Sequence, residues 1–332
     1  MADVADVLES TERDLMGQTL RRLAQELDGV QLSKALADFG FVEVLAEAPR
    51  EAVSTLFDAL GRAGSMSTSL QDVLLQPLIK VLPGASKAHS VVLPSIGAAL
   101  SGSLDGDAVT LRGLVVGHST ATALLAPVAT RGSIAWVSIA DPSVLTKRVV
   151  AGLDPELALT EVGATEVAAT IVSSGAQARD LWTAVATAGR RALGYQVVGA
   201  VHTMLDLAVE HARNRVQFGR PIGSFQGVRN RLAEAHVASE AAAAALELAW
   251  EADDEYLAGM LAKSLAGRAA RITATHCQQV LAGIGFTAEH PFHRYLARAL
   301  VLDSLLGSTT ELRRAIGRQL VSAGTIPRLV EL

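Results

Sequence analysis

The stretch that decides the fold is Arg213-Asn214-Arg215-Val216-Gln217-Phe218-Gly219-Arg220-Pro221-Ile222-Gly223-Ser224-Phe225-Gln226. It lies between two segments of helical apolar periodicity, so we predict a helix C-terminus, a tight turn and a new helix capped at Ser224. Its arginines can hold a dianion with forked hydrogen bonds, and Phe218 offers a flat face to an aromatic ring. Such a corner suits a dinucleotide, although a solvated basic turn between helices has the same composition.

A second motif follows further along the chain, Gln278-Gln279-Val280-Leu281-Ala282-Gly283-Ile284-Gly285-Phe286, and then Glu289-His290-Pro291 and Arg294. The first stretch reads Arg-x-x-Phe-Gly-x-Pro-Ile-x-x-Phe-Gln, and the second is close to Gln-x-x-Gly-Gly-x-Gly-Phe. In this order and spacing the two motifs resemble the signatures of the acyl-CoA dehydrogenase flavoprotein family. The resemblance covers residues 180–320 and is weaker before them.

Composition restricts the kinds of function that the chain can have. Of 332 residues, 50% are hydrophobic, 19% charged and 4% aromatic, which is typical of aliphatic helical bundles with two or three subdomains. The formal net charge of −5 argues against nucleic acid or an anionic membrane as the main partner. Cys277 is the single cysteine, which excludes an intrachain disulfide. With no apolar run of about 18–20 residues and no signal-peptide pattern, we predict a cytoplasmic protein.

Periodicity and the resemblance together predict an α+β, mainly α, fold of the acyl-CoA dehydrogenase type. We predict a shortened N-terminal helical domain at 1–85, a small antiparallel β domain at 86–173 and a C-terminal four-helix-bundle domain at 174–332. An apolar helix from Leu70 to Leu82 closes the first domain. The predicted strands of the second are Val91–Leu93, Ala108–Leu111, Leu114–Val116, Ser133–Ile139 and Val167–Val172, with a hairpin turn at Asp105-Gly106-Asp107. The predicted helices of the third run from Ala176 to about Arg215, from Ser224 to about Ala252 and from Asp254 to about Leu281, with two shorter helices after Pro291 and Ser308.

The resemblance implies a cofactor, FAD, and residues that bind it. By resemblance, Arg215 meets the FAD pyrophosphate, Phe218 the adenine region, and Gln279 with Gly283 the nearby phosphate or ribose. Tetramers of the family supply these contacts across a subunit interface, to the flavin of a neighbour. The structural alternative is that Gln279 caps a helix and Gly283 ends it.

The groups that hold the flavin ring in the family are missing here. Ordinary members have a Thr-Glu-Pro-Gly-x-Gly-Ser-Asp loop and a Lys-x-Trp-Ile-Thr strand, and neither is found in residues 90–119. His118 is either a replacement ligand or a turn residue. No spacing in the chain is typical of a metal site.

The family's catalytic base is missing as well, because its usual glutamate position falls on Leu306, which cannot take a proton. Some members carry the glutamate on the long helix before the Arg-x-x-Phe-Gly corner, but residues 181–205 contain no Asp or Glu. Glu289, Asp303 and Glu311 are nearby carboxylates, each more simply explained as a helix-end or solvated residue.

The chain retains the motifs for the adenine and pyrophosphate half of the FAD site but has no catalytic base at the usual position. In this it resembles the small subunits of actinobacterial heteromeric (α2β2) acyl-CoA dehydrogenases that act on steroid side-chain CoA esters. This resemblance implies a catalytic acyl-CoA dehydrogenase partner in a heterotetramer, an acyl-CoA substrate, FAD shared across the interface, and an electron-transferring flavoprotein as acceptor. Two alternatives stay open: a self-sufficient dehydrogenase with a relocated base, and a non-catalytic structural or scaffold protein of the same fold.

Overall fold

The computed structural model describes residues 10–324, except residues 83, 87, 107 and 118–120. Its helices are α1 (Ser10–Glu26), α2 (Gly29–Phe39), α3 (Phe41–Glu47), α4 (Pro49–Ala63), α5 (Ser69–Ile79), α6 (Gly175–Asn214), α7 (Gln226–Leu248), α8 (Glu255–Leu281), α9 (Phe292–Ser304) and α10 (Thr309–Ala323). Its strands are β1 (His89–Val91), β2 (Leu93–Pro94), β3 (Gly102–Asp105), β4 (Ala108–Val116), β5 (Ala123–Thr130), β6 (Ser133–Ile139), β7 (Thr146–Val149), β8 (Leu159–Ala168), β9 (Thr170–Ser174), β10 (Val216–Gln217) and β11 (Arg220–Pro221). The mainly helical α+β class is confirmed, and the exact domain limits remain predictions.

The middle of the chain forms a sheet with the strand order β7-β8-β4-β3-β5-β6-β9, to which β1 and β2 are added at β5 and β4. Most strand pairs are antiparallel as predicted, but β1 and β3 each pair with β5 in parallel. The predicted hairpin is present, with Asp105 paired to Ala108, while Asp107 lies outside the described residues. Strand β5 was not predicted, because it contains Pro127 and several alanines, which have low strand propensity.

Helix α6 is the central element of the helical core, and α4, α5, α8 and α9 all pack against it. Two glycines allow α4 and α6 to cross with their backbones in contact. A Cβ at Gly61 would overlap with the carbonyl oxygen of Gln196, and one at Gly199 would overlap with that of Asp58. Trp136 of β6 is fully buried and donates its indole N–H to the carbonyl of Ala178 at 3.2 Å, which fixes the start of α6 on the sheet.

A single buried arginine joins the three parts of the chain. Arg298 of α9 is 3% exposed, forms an ion pair with Asp154 of the β region, and donates to the carbonyl of Ser65 at 2.9 Å. Because an unpaired buried charge is strongly unfavourable, this contact fixes α9 against both other regions. The loop that follows α9 carries Leu306, the predicted position of the family's base, so the contacts of Arg298 also position that loop.

Two helix predictions need correction. Helix α5 ends at Ile79 rather than Leu82, since the backbone turns at Lys80 and Val81. Within the described residues, one helix, α6, is long enough and apolar enough to cross a membrane, and the mean hydropathy of its most apolar window is 1.2. This differs from the prediction that no apolar run of that length occurs. Of that window, 72% is buried inside the protein, which is what a core helix of a globular protein also shows.

Candidate functional site

The Arg-x-x-Phe-Gly corner is a tight hairpin at the end of α6. After Asn214, Arg215 donates its backbone N–H to the carbonyl of His211 at 2.8 Å, and β10 and β11 pair antiparallel around Phe218-Gly219. These two loop residues have φ of +52° and +76°, as a two-residue type I′ turn requires. The predicted tight turn after the helix is therefore present.

The predicted cap of the next helix is wrong. Ser224 ends a short 3₁₀ turn, Ile222–Ser224, and its hydroxyl donates to the carbonyl of Pro221 at 2.7 Å. The N-cap of α7 is Phe225, which has no side-chain oxygen to accept a hydrogen bond from the helix. The hydroxyl of Ser224 is hydrogen-bonded within the 3₁₀ turn, and Ser224 lies one residue before the N-cap position of α7.

The corner presents cations and aromatic surface to the outside of the chain. Phe218 is 91% exposed although its backbone is in the left-handed region, which costs a non-glycine residue roughly 1–2 kcal/mol. It meets Phe225 edge to face with centroids 6.1 Å apart, and the guanidinium of Arg220 lies 4.2 Å from the centre of the Phe225 ring. Arg213 and Arg215 are exposed, and no carboxylate among the described residues forms an ion pair with them. Strain and exposure together are typical of a binding surface.

The second motif lies at the end of α8 and is exposed too. Gln279 is on the last turn of α8, and Gly283 lies in the 3₁₀ turn Ala282–Phe286. A Cβ at Gly283 would meet no atom of the described residues within 4 Å, and its φ is not positive, so none of these residues requires glycine there. Close approach by a group from outside the chain is a physical reason for this glycine. Phe286, 72% exposed, adds apolar surface beside it.

Charged groups beside the two motifs influence a histidine at the end of α6. The pKa of His211 is lowered by partial burial and then by the neighbouring charges of His290 and Arg215. His211 is on the last turn of α6, whereas His290 follows the second motif directly. The four residues proposed for the cofactor, Arg215, Phe218, Gln279 and Gly283, are therefore exposed features at the ends of helices α6 and α8.

Ala282 stands where the family pattern has glycine, and it retains a strained backbone. Its φ of 52° and ψ of −136° belong to a region that essentially only glycine populates. We expect Ala282→Gly to raise the free energy of unfolding by about 1 kcal/mol and the melting temperature by about 2 °C. In the control Ala241→Gly, on the exposed face of α7, loss of helix propensity should lower the free energy of unfolding by about 1 kcal/mol. A destabilised Ala282→Gly variant would contradict this interpretation.

Leu306, at the predicted position of the family's base, is buried among apolar side chains and also borders a cavity. Leu306 is 7% exposed, and a Cβ added at Gly189 of α6 would overlap with its Cδ1 and lie 2.8 Å from Leu74 Cδ2. The backbone carbonyl of Leu306 accepts a hydrogen bond from Arg190 Nε at 3.1 Å. The side chain thus fills the gap between α5 and α6 rather than facing a reactive group.

The neighbouring carboxylates are engaged or remote. Asp303 is 4% exposed and accepts from the Thr309 hydroxyl at 2.7 Å and its N–H at 3.1 Å. Glu311 forms a capping box with Ser308, whose backbone N–H and hydroxyl hold the pKa of the Glu311 carboxyl below its usual value. Glu289 is exposed. Glu311 also lines a cavity of about 330 Å³ beside Leu306, so it is the carboxylate that a relocated base would use.

Sequence reasoning missed the two cations that hold this loop. Arg190 contacts the loop carbonyl described above, and Lys263 of α8, only 1% exposed, donates to the carbonyls of Asp303 and Gly307 at 2.8 Å each. Lys263 is an isolated charge within an apolar helical stretch, and Arg190 forms with Arg191 a pair of charges within another, which is the signal that could have drawn attention to them. His118, the possible replacement ligand for the flavin ring, lies outside the described residues.

Burial makes Lys263 a pH-sensitive residue, because it lowers the pKa of the ammonium group to about 7. An unfolded lysine keeps its proton up to about pH 10.4, so the unfolded state binds more protons and stability rises with pH in between. We expect Lys263 to raise the free energy of unfolding by about 1 kcal/mol per pH unit between pH 7.5 and 9. Denaturant titrations at several pH values would measure this contribution. The free energy of unfolding should rise with pH more steeply in wild type than in Lys263→Met, which shares all other titrating groups. Equal slopes of the free energy of unfolding against pH in the two proteins would show that Lys263 stays charged in the folded state.

Comparisons with known proteins agree on one family. The model of the acyl-CoA dehydrogenase C-terminal domain matches residues 181–321. Among curated proteins of Mycobacterium tuberculosis, acyl-CoA dehydrogenase FadE34 is 37% identical over 183 residues, which are 53% of this chain and 25% of that relative. Acyl-CoA dehydrogenase IpdE2 is 39% identical over 124 residues, 37% of this chain and 39% of that relative. The chain thus spans less than half the length of these curated relatives.

Solved structures extend the likeness over the remaining chain. The ChsE4-ChsE5 complex from Mycobacterium tuberculosis matches with a TM-score of 0.77 and 22% identity over 97% of this chain and 99% of that one. A variant of the Tcur3481-Tcur3483 steroid ACAD matches with a TM-score of 0.78 and 20% identity over 95% and 99%. At these identities the likeness shows the fold. Residues 181–321 thus match the C-terminal domain of the acyl-CoA dehydrogenases, and the chain along its length has the fold of these solved structures.

Proposed function

We propose that this chain is a subunit of a heteromeric FAD-dependent acyl-CoA dehydrogenase, in which it completes the flavin site of a catalytic partner. The reaction is the α,β-dehydrogenation of an acyl-CoA thioester. One observation carries the proposal: an exposed corner holds a strained, exposed Phe218 and an Arg215 without an ion-pair partner among the described residues, in a chain whose predicted base position is a buried Leu306.

The four exposed residues fit the adenine and pyrophosphate half of FAD. Arg215 provides a planar, forked donor for the pyrophosphate, and Phe218 provides an aromatic face for the adenine. Gln279 provides an amide for the nearby phosphate or ribose, and Gly283 leaves room for backbone approach. When bound, FAD supplies the hydride acceptor of the reaction.

The ring half of the site and the base come from the partner in this proposal. Leu306 cannot take a proton, and Asp303 is engaged by Thr309 inside the fold. The partner's carboxylate therefore removes the proton next to the thioester carbonyl, while this chain binds and orients. We infer one flavin for each pair of unlike subunits in a heterotetramer.

Comparisons with relatives support the finer parts of the proposal. The similar solved structures include a two-protein complex, ChsE4-ChsE5, and one described as a steroid ACAD, so we propose a steroid side-chain CoA ester as the substrate class. From its matched share, FadE34 is roughly twice as long as this chain, which leaves room for two units of this size in one polypeptide. An electron-transferring flavoprotein as acceptor and a cytoplasmic location complete the proposal.

Purification of the chain alone provides the direct test. We expect little bound flavin and no acyl-CoA-dependent dye reduction, because half of the cofactor contacts and the base are supplied by the partner. Flavin absorbance and dye reduction should appear only on co-purification with a full-length dehydrogenase, sought first in the neighbouring open reading frame. A yellow, fully active preparation of the chain alone would overturn the heteromer proposal.

That contrary result would favour the second candidate, a self-sufficient dehydrogenase with a relocated base. The observation that favours it is Glu311, whose side chain lines the cavity beside Leu306. In that case Glu311→Gln should abolish dye reduction while leaving flavin content unchanged. A third candidate, a scaffold protein of the same fold, predicts no flavin in either preparation.

A further inference from the structure

The sheet has an open edge that the proposed function does not use. In the strand order, β7 and β9 are the two end strands. Strand β9 leads directly into α6 and packs against it. In contrast, all four residues of β7, Thr146–Val149, are exposed, and β7 packs mainly on β8. The β7 edge, residues 146–149, therefore presents strand backbone to the outside of the chain.

The backbone groups of β7 that point outward can be identified from the end of the strand. Val150 donates its N–H to the carbonyl of Leu159 at 2.8 Å, on the side of β8. Because alternate residues of a strand point their N–H and C=O groups to the same side, Lys147 and Val149 point theirs away from β8. These groups form no hydrogen bond with other described residues. Two donors and two acceptors are thus available to a further strand.

The surface around the β7 edge offers room and apolar contacts. A groove of about 520 Å³ lies beside the strand and is lined by residues of β4, β7 and β8. Gly163 of β8 pairs with Thr146 and brings no side chain into this groove. Val149 is 72% exposed, and Val144 and Leu153 on either side of β7 are exposed too. A strand added here would bury apolar surface as well as backbone.

Charge restricts the kind of strand that fits. Arg112, Lys147, Arg148 and Glu161 line the groove, which gives a local excess of two positive charges in a chain of net charge −5. Glu161 forms an ion pair with Arg148 and lies 3.5 Å from Arg112 Nε. Lys147 forms no ion pair among the described residues. The complementary partner is therefore acidic.

The same charges argue against a second copy of this chain as the partner. Antiparallel pairing of two β7 strands would place Lys147 and Arg148 of one copy opposite those of the other, and like charges directly opposite are destabilising. Lysine on an edge strand is a common protection against such pairing. The occupant is therefore a different chain.

We propose that the β7 edge binds an extended acidic segment of a partner protein, which adds a strand to the sheet with carboxylates opposite Lys147 and Arg148 and an apolar residue opposite Val149. This surface is independent of the proposed flavin role, since the two share no residue.

The test uses the full chain and the peptide acetyl-Thr-Val-Glu-Glu-Thr-Val-amide, followed by nuclear magnetic resonance and amide hydrogen exchange. We expect the peptide to bind and to slow the exchange of the N–H groups of Lys147 and Val149. Exchange at Arg148, whose N–H already points to β8, should not change.

Two control peptides separate the strand pairing from charge alone. One has lysine in place of both glutamates, and the other is methylated at every second backbone nitrogen from its second residue onward. Both should bind at least about tenfold more weakly, because the first repels the β7 edge and the second cannot donate hydrogen bonds to it. Absence of binding by the acidic peptide at millimolar concentration, or equal affinity for either control peptide, would overturn the proposal.

A charge reversal gives a matched pair of variants. Lys147→Glu should weaken the acidic peptide about fivefold and strengthen the lysine peptide by a similar factor. Lys34→Glu makes the same change of net charge at an exposed position of α2 and should leave both affinities as in wild type. Equal behaviour of these two variants would show an effect of net charge only and would contradict the proposed contact.

A proline variant tests the backbone contact itself. Lys147→Pro removes one outward N–H and leaves the bonds of Arg148 and Val150 to β8 in place, as is tolerated on an edge strand. It should lower the affinity for the acidic peptide at least about tenfold with little change of melting temperature. Retained affinity would overturn the proposal, as would a dimer of the wild-type chain in sedimentation that Lys147→Pro abolishes, because a second copy would then occupy the edge.

Discussion

Replacement of Leu306 by glutamate is expected to lower the free energy of unfolding by about 3–5 kcal/mol and to create no dehydrogenase. The side chain is buried against Gly189 and Leu74, so the new carboxylate would lose its water without gaining a designed partner. A catalytic base must also lie within about 3 Å of the proton that it takes. The chain lacks the family's ring-binding motifs, so nothing fixes a flavin and substrate in that geometry.

Two control variants isolate the charge in this experiment. Glutamine has the size of glutamate without its charge, so Leu306→Gln should lower the free energy of unfolding by only about 1–3 kcal/mol. Leu300→Glu, at a partly exposed position of α9, should change stability by no more than about 0.5 kcal/mol.

The pH dependence of the variant gives a further check. Burial raises the pKa of an unpaired carboxyl, so the destabilisation of Leu306→Glu should be full above that raised pKa and should disappear below about pH 4. Denaturant titrations at several pH values and a dye-reduction assay measure both effects. Substantial turnover by the single variant would show that the chain holds a flavin ring after all.

Arg215→Ala is expected to lower the affinity of the assembled heteromer for FAD by roughly tenfold or more without unfolding the bundle. A charge-assisted hydrogen bond contributes about 1.5–3 kcal/mol, which corresponds to that change. Arg215 is exposed and has no ion-pair partner among the residues that the structure describes, so its removal should change the stability of the chain itself by no more than about 0.5 kcal/mol. Arg215→Lys should recover part of the affinity, because lysine keeps the charge but loses the planar fork.

Arg213 provides the matched control, since it is exposed as well and lies on the last turn of α6. Flavin per heteromer and the melting temperature with and without added FAD should be measured for Arg213→Ala and Arg215→Ala side by side. Arg220→Ala is a less neutral control, because Arg220 stacks on Phe225. Equal flavin occupancy in wild type and Arg215→Ala would remove the basis for a cofactor site at this corner.

Local patterns in the sequence predicted the helical regions and the corner well. The long helix from Ala176 to about Arg215 is confirmed as α6, and the helix after Asp254 is confirmed, with the Asp254 carboxylate accepting from the N–H of Leu257. The capping serine was wrong because a 3₁₀ turn at residues 222–224 comes before the helix, and turn geometry of this kind depends on how the hairpin packs on α6.

The sheet was predicted less completely for a physical reason. Strand β5 pairs in parallel with β1 and β3 and antiparallel with β6, and none of these partners is specified by its own alanine-rich sequence. Strand β7 is exposed along its whole length and therefore lacks the apolar alternation by which strands are recognised.

By itself, the sequence determined the resemblance to the acyl-CoA dehydrogenases, the mainly helical class, the two motifs proposed to bind the cofactor and the absence of a glutamate at residue 306, because these depend on residue type and on spacing along the chain. Only the tertiary structure decided that Leu306 fills the gap beside Gly189, that Lys263 and Arg190 hold its loop, and that β7 forms an open edge of the sheet. Such features arise from contacts between residues far apart in sequence, whose partners no local pattern identifies.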